Sequence, residues 1–135
     1  MSELNPQAIQ KLEEFRHALV EAGNKIAKTK PSKPLDAWTG GAIAPQPSAD
    51  ELKKRFAECK EIHQLLGDLI DGLQDPERRA PATQALSKLK GVFDATAAKW
   101  RAAAKNLYAS KYEERKYAQQ YADYATRVGD VLKLL

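Results

Sequence analysis

Cysteine, histidine and long hydrophobic runs are scarce in this sequence, and each scarcity excludes a class of protein. The one cysteine, Cys59, cannot form an intramolecular disulfide, which is typical of a protein in a reducing compartment. No segment approaches the roughly 20 consecutive apolar residues of a membrane-spanning helix, and the polar N-terminal residues lack the apolar core of a secretion signal. We therefore expect a cytoplasmic protein with no membrane association.

Catalytic and metal-binding patterns are equally scarce. The sequence contains no P-loop, no Gly-x-Gly-x-x-Gly and no Gly-x-Ser-x-Gly. Cys59 and His63 are four residues apart, a spacing that can place two metal ligands, or a thiolate and a base, on one helical face. No third ligand or orienting acid accompanies them, and we interpret the pair as a small buried thiol beside an imidazole at a layer of the bundle or at its edge. The sequence thus predicts no enzyme activity, no metal site and no cofactor.

Apolar residues recur every three or four positions along most of the chain, which is the spacing of one helical face. Asn5 and Pro6 are a favoured cap and first helical residue, and Pro76 interrupts the pattern. We predict one all-α domain over residues 1–135, a helical bundle with coiled-coil-like heptad packing. Its predicted parts are a helix over 6–29, an ordered Pro- and Gly-rich crossing over 30–47, a helix over 49–74, a turn over 75–81 and a long helix over 82–135.

The last predicted helix has an alternative. Its apolar stripe keeps the three-and-four alternation for fifty residues, and the sequence between Asn106 and Gln120 contains no Gly or Pro, which favours one continuous helix. Ser110 and Glu113 resemble a capping box, so the region can also break near residue 108 and give a four-helix bundle.

Aromatic residues are the strongest candidates for a binding surface. All five tyrosines fall between Tyr108 and Tyr124, and three of them occupy successive positions of the apolar stripe: Tyr117, Tyr121 and Tyr124. A tyrosine ring can be buried only if its hydroxyl finds a partner, so a partly hydrated interface is one interpretation and closure of the bundle end is the other. Trp38 and Ile43, within the crossing, are a second candidate anchor, although packing of Trp38 on a groove of the bundle is also consistent with the sequence.

Positive charge concentrates on the region after Pro76. Residues 76–107 contain seven basic and two acidic residues, whereas residues 48–75 contain four basic and seven acidic residues. Four of the basic residues, Lys88, Lys99, Arg101 and Lys105, flank the apolar stripe on two sides. Attraction to the acidic helix is one interpretation of this flank, and binding of nucleic acid is the alternative.

The segment His63-Gln-Leu-Leu-Gly67 resembles the histidine-phosphotransfer motif of phosphorelay proteins. In those proteins the motif lies on a helical bundle. The resemblance covers five residues and has Leu66 in place of the motif lysine. It implies a phosphoryl-accepting role for His63.

The sequence as a whole favours a non-catalytic interaction module, an adaptor, regulator or inhibitor that binds another protein and can form a homodimer. A nucleic-acid-associated protein and a phosphotransfer-like bundle are the alternatives.

Overall fold

The protein is all-helical in a computed structural model that describes residues 4–29, 49–105 and 111–135, without the side chains of residues 111–113. The described residues form four helices and no strand: α1 (Pro6–Lys28), α2 (Ala49–Gln74), α3 (Arg79–Ala104) and α4 (Lys111–Lys133). The predicted all-α helical-bundle fold is confirmed. None of the described helices combines the length and the apolar character needed to cross a bilayer.

Local sequence accounts for several helix ends. The Asn5 side chain accepts a hydrogen bond from the backbone N–H of Gln7 at 2.9 Å, as expected of an N-cap. Helix α2 ends at Gln74, where the sequence places the break, and Arg79 Nε donates to the carbonyl of Leu73 at 3.0 Å. This bond satisfies one of the carbonyls that the end of a helix leaves without an intrahelical partner. Helix α3 begins at Arg79 rather than at residue 82.

The long helix predicted over residues 82–135 is wrong, because the described part of this range forms two helices, α3 and α4. Along a single helix Phe93 and Tyr124 would lie about 46 Å apart, since each residue advances the axis by about 1.5 Å. Their ring centroids are 5.4 Å apart, and those of Trp100 and Tyr117 are 4.7 Å apart. Contacts that join earlier residues of α3 to later residues of α4 show that the two helices pack antiparallel. Helix propensity alone favoured continuity, but burial of these rings decides the structure.

The chain divides into two compact units, residues 1–15 with 66–135 and residues 16–65. In the first unit α3 and α4 pack on each other. In the second, α1 and α2 are antiparallel neighbours: Arg16 Nε donates to the carbonyl of His63 at 3.2 Å, and Gly23 faces the ring of Phe56. The single domain expected over residues 1–135 stays a prediction.

The predicted apolar stripe matches the buried residues unevenly. In α4 its tyrosines and valines are buried. In α3 burial shifts to one side of the stripe and includes three alanines, whereas Trp100 is only half-buried. In α2 the stripe residue Phe56 is 43% exposed. The buried residues of α3 are Ala82, Leu86, Phe93, Ala97 and Ala104.

Candidate functional site

An aromatic cluster fills the interior of the first unit. Phe93 lies at its centre, 2% exposed, with the rings of Phe15, Tyr121 and Tyr124 at centroid distances of 6.3, 6.0 and 5.4 Å. Trp100 and Tyr117 stack beside it with an angle of 19° between their ring planes. Such pairs each contribute about 0.5–1.5 kcal/mol beyond the burial of their area, so the cluster stabilises the pairing of α3 with α4.

The three tyrosines predicted as partner-binding residues belong to this cluster. Tyr117, Tyr121 and Tyr124 are 7–8% exposed. Gln120 Nε2 donates to the hydroxyl of Tyr124 at 2.6 Å. This burial agrees with the second interpretation of these residues, closure of the bundle interior. Their role as partner-binding residues stays a prediction, and it would require the cluster to open.

The predicted basic flank lies on the surface of α3. Lys88, Lys99, Arg101 and Lys105 are all exposed. At about 100° per residue, Lys88 and Lys99 share one side of the helix, whereas Arg101 and Lys105, the residue that follows α3, lie about 100° or more away from them. These charges do not form one continuous stripe, and the neighbouring Lys90 Nζ is paired with Asp94 at 2.7 Å.

An open groove between α1 and α2 lies entirely within the second unit, and we call it the α1–α2 groove. Its volume is about 170 Å³. The lining residues Leu19, Gly23 and Cys59 are buried, whereas Val20 and Phe56 are 45% and 43% exposed. Asn24, Lys60 and His63 add polar groups to the lining. The groove is therefore an apolar depression to which both helices also contribute polar groups.

Gly23 shapes this groove. A Cβ atom at Gly23 would lie 3.6 Å from Phe56 Cε2, so the α1 backbone passes directly over the edge of that ring. The glycine leaves space that a larger side chain would fill. Phe56 consequently keeps part of its ring face accessible from outside.

Cys59 and His63 both line the groove, but the structure gives them different surroundings. Cys59 is 5% exposed and is not part of a disulfide, whereas His63 is half-buried and its backbone carbonyl accepts the bond from Arg16. A buried thiol beside a half-buried imidazole agrees with the expected position at a bundle layer or its edge. Across the described ranges, no group of three or more His, Cys, Asp and Glu residues could hold a metal ion.

Lys60 is the cation of the groove lining, and two further cations lie near it by helical spacing. Lys53, Phe56 and Lys60 recur at helical spacing on one face of α2, and Arg16 lies one turn before Val20 on α1. The acidic residues among the described residues of the second unit lie on other faces of the two helices, at about 100° per residue. These acidic residues are Glu21, Asp50, Glu51, Glu58 and Glu61.

The sequence does not predict this groove, because Phe56 recurs at the three-and-four spacing of the α2 apolar residues, and that spacing predicts burial. Val20 directly follows the stripe residue Leu19 and lies off the stripe, three residues before a glycine within a helix. The available signal is an apolar residue off the stripe that lies one turn from a glycine, which lowers helix propensity. Trp38 and Ile43, the other predicted anchors, lie outside the described residues.

Comparisons with known proteins identify no relative. No protein-family model, no curated protein and no solved structure matches this chain.

Proposed function

We propose that this protein is a non-catalytic helical module that binds another protein through the α1–α2 groove. The observation that carries this proposal is the exposure of two large apolar side chains, Val20 and Phe56, on the same concave surface. Concave apolar surfaces with polar margins are typical of protein-binding sites, and aromatic residues in such sites often supply much of the binding energy. Adaptor, regulator and inhibitor are the roles that fit such a module.

Two finer predictions remain part of this proposal. The antiparallel helix pairs are consistent with coiled-coil-like packing, and a cytoplasmic location is consistent with the single cysteine. Homodimerisation through the tyrosines would require the aromatic cluster to open, so we assign partner binding to the groove instead. Nucleic-acid binding remains the alternative, and its support is the exposure of the four basic residues on α3.

Partner capture with matched variants tests the proposal. The full chain, a Val20→Asp variant and a Val92→Asp variant are immobilised and exposed to extract of the source cell, and bound proteins are quantified by mass spectrometry. Val92 is 58% exposed on α3 and lies outside the groove, so it provides the same substitution at an exposed valine. We expect a set of proteins that binds the wild type and Val92→Asp but is depleted from Val20→Asp by at least about tenfold, the loss typical of a central contact.

Two outcomes would contradict the proposal. If Val20→Asp retains every protein that Val92→Asp retains, the groove is not the binding surface. If the captured material is nucleic acid that elutes steeply with salt, the alternative is correct, because neutralised phosphates release counterions. Circular dichroism of each variant establishes that both remain helical.

A further inference from the structure

The size of the α1–α2 groove limits what can occupy it. Pockets that bind drug-sized molecules usually measure about 300–1,000 Å³. The groove, at about 170 Å³, is closer to the cavity of about 150 Å³ that accommodates one benzene ring in an engineered protein interior. It therefore has room for one large apolar side chain.

The charges around the groove restrict what surrounds that side chain. Lys60 lines the groove and Lys53 shares its face of α2, whereas Arg16 lies one turn before Val20 on α1 with its Nε donating to the carbonyl of His63. The acidic residues of the described second unit lie on other faces. This arrangement is local, because residues 48–75 as a whole contain more acidic than basic residues. An incoming surface with carboxylates beside its apolar anchor is attracted to it, and a basic surface is repelled.

From size and charge together we infer that the groove binds an acidic helical segment of another protein, with one large apolar side chain inserted between Val20 and Phe56. This inference rests on the proposed function and specifies its partner. A helix suits the site because residues three and four positions from the anchor lie on the same face. Aspartate or glutamate at those positions then lies beside Lys53 and Lys60.

A second copy of this chain is a poor occupant. Leu65 is 41% exposed and has Glu61 and Asp68 at helical spacing, but it lies on the opposite side of α2 from Phe56. Insertion of Leu65 into the groove of another copy would create a head-to-tail contact that extends into a chain instead of closing a dimer. Val92, another exposed apolar residue, lies between Lys88 and Lys99 and would bring like charges together.

Selection from a displayed peptide library tests the chemistry of the partner. The library consists of helix-forming peptides of about 18 residues with one face randomised, selected on the immobilised full chain at low salt. We expect the enriched peptides to share one Leu, Phe or Met with Asp or Glu three or four residues away. Since Cys59 is the only cysteine and lines the groove, a bound peptide should slow its alkylation by iodoacetamide.

Matched variants then assign the contacts. Gly23→Leu, which fills the groove, and Val20→Asp should each weaken a selected peptide by roughly tenfold or more, whereas Val92→Asp should leave its affinity unchanged. Lys60→Glu should weaken it by up to about fivefold, and the difference from wild type should shrink between 50 and 300 mM salt. Using two groove variants keeps the test decisive if one of them fails to fold.

Different failures have different meanings. Enriched peptides that are neutral or basic and still protect Cys59 would overturn the acidic partner and leave the proposed function intact. If no selected peptide protects Cys59 but Val20→Asp still loses its cellular partners, the single-anchor geometry is overturned and the proposed function stands. Tighter peptide binding by Trp38→Ala would show that residues 30–48 of the same chain occupy the groove. A mass by light scattering that rises with concentration, and rises further in Lys60→Glu, would assign it to a second copy.

Discussion

The two compact units use apolar side chains differently. In the first unit the rings of Phe15, Phe93 and Tyr124 surround one another and are at most 7% exposed. In the second, Val20 and Phe56 stand beside Gly23 and remain more than 40% exposed. Because one apolar periodicity runs through both units, the pattern alone does not decide whether a position is core or surface. The contrast shows that the first unit encloses its aromatic rings, whereas the second leaves apolar area exposed.

Replacing an aromatic ring in each unit should give the largest difference. Phe93→Ala removes the central ring of the aromatic cluster and should lower the free energy of unfolding by about 3–5 kcal/mol. Phe56→Ala removes a ring that is already half-exposed and should lower it by about 1 kcal/mol. Urea unfolding followed by circular dichroism measures both. Equal losses would show that Phe56 is as much a core residue as Phe93.

Adding a methyl group to a helical glycine should give effects of opposite sign in the two units. A Cβ atom at Gly72 would lie 3.0 Å from Ala82 Cβ, which belongs to a short side chain that cannot move aside. We expect Gly72→Ala to lose about 1–2 kcal/mol, because overpacking exceeds the gain in helix propensity. At Gly23 the nearest atom is 3.6 Å away, so Gly23→Ala should gain up to about 1 kcal/mol. Thermal unfolding compares the two, and stabilisation by Gly72→Ala would contradict the close contact.

Removing a hydroxyl from the aromatic cluster should have a smaller effect. Tyr124→Phe keeps the ring and loses the bond from Gln120, which should cost about 0.5–1.5 kcal/mol. Fluorescence of Trp100, recorded in a Trp38→Phe background, follows unfolding of the first unit. If Tyr124→Phe unfolds at the same urea concentration as the parent, the hydroxyl does not contribute to the stability of the cluster.

Surface ion pairs should contribute least to the free energy of unfolding, and by similar amounts in both units. Asp94→Asn removes the partner of Lys90 in the first unit, and Glu21→Gln removes the partner of His17 in the second. All four side chains are at least 38% exposed, so each change should alter the free energy of unfolding by less than about 0.5 kcal/mol. A loss above about 1 kcal/mol from either variant, measured at low and high salt, would contradict this equivalence.

Helix positions could be predicted from the sequence because their signals are local. Asn5 supplies an oxygen to the first amides of α1, and Pro76 cannot continue α2, so those boundaries follow from residue chemistry. The local signal for the break between α3 and α4 is weaker, since it is limited to the capping-box resemblance of Ser110 and Glu113, and no Gly or Pro lies between Gly91 and Lys111. Only the contacts of Phe93 and Trp100 with tyrosines of α4 show that the chain reverses direction there.

The candidate site also combines features that follow from the sequence with features that only the tertiary structure determines. The sequence by itself determined the helical class, the apolar periodicity and the set of aromatic side chains, because these depend on residue type and spacing. Tertiary structure alone decided that the tyrosines are internal and that Phe56 borders a groove, because burial depends on which helix covers which face. Lys53 and Lys60 share a face of α2 by spacing, but only the approach of Arg16 to His63 places cations on both sides of one apolar surface.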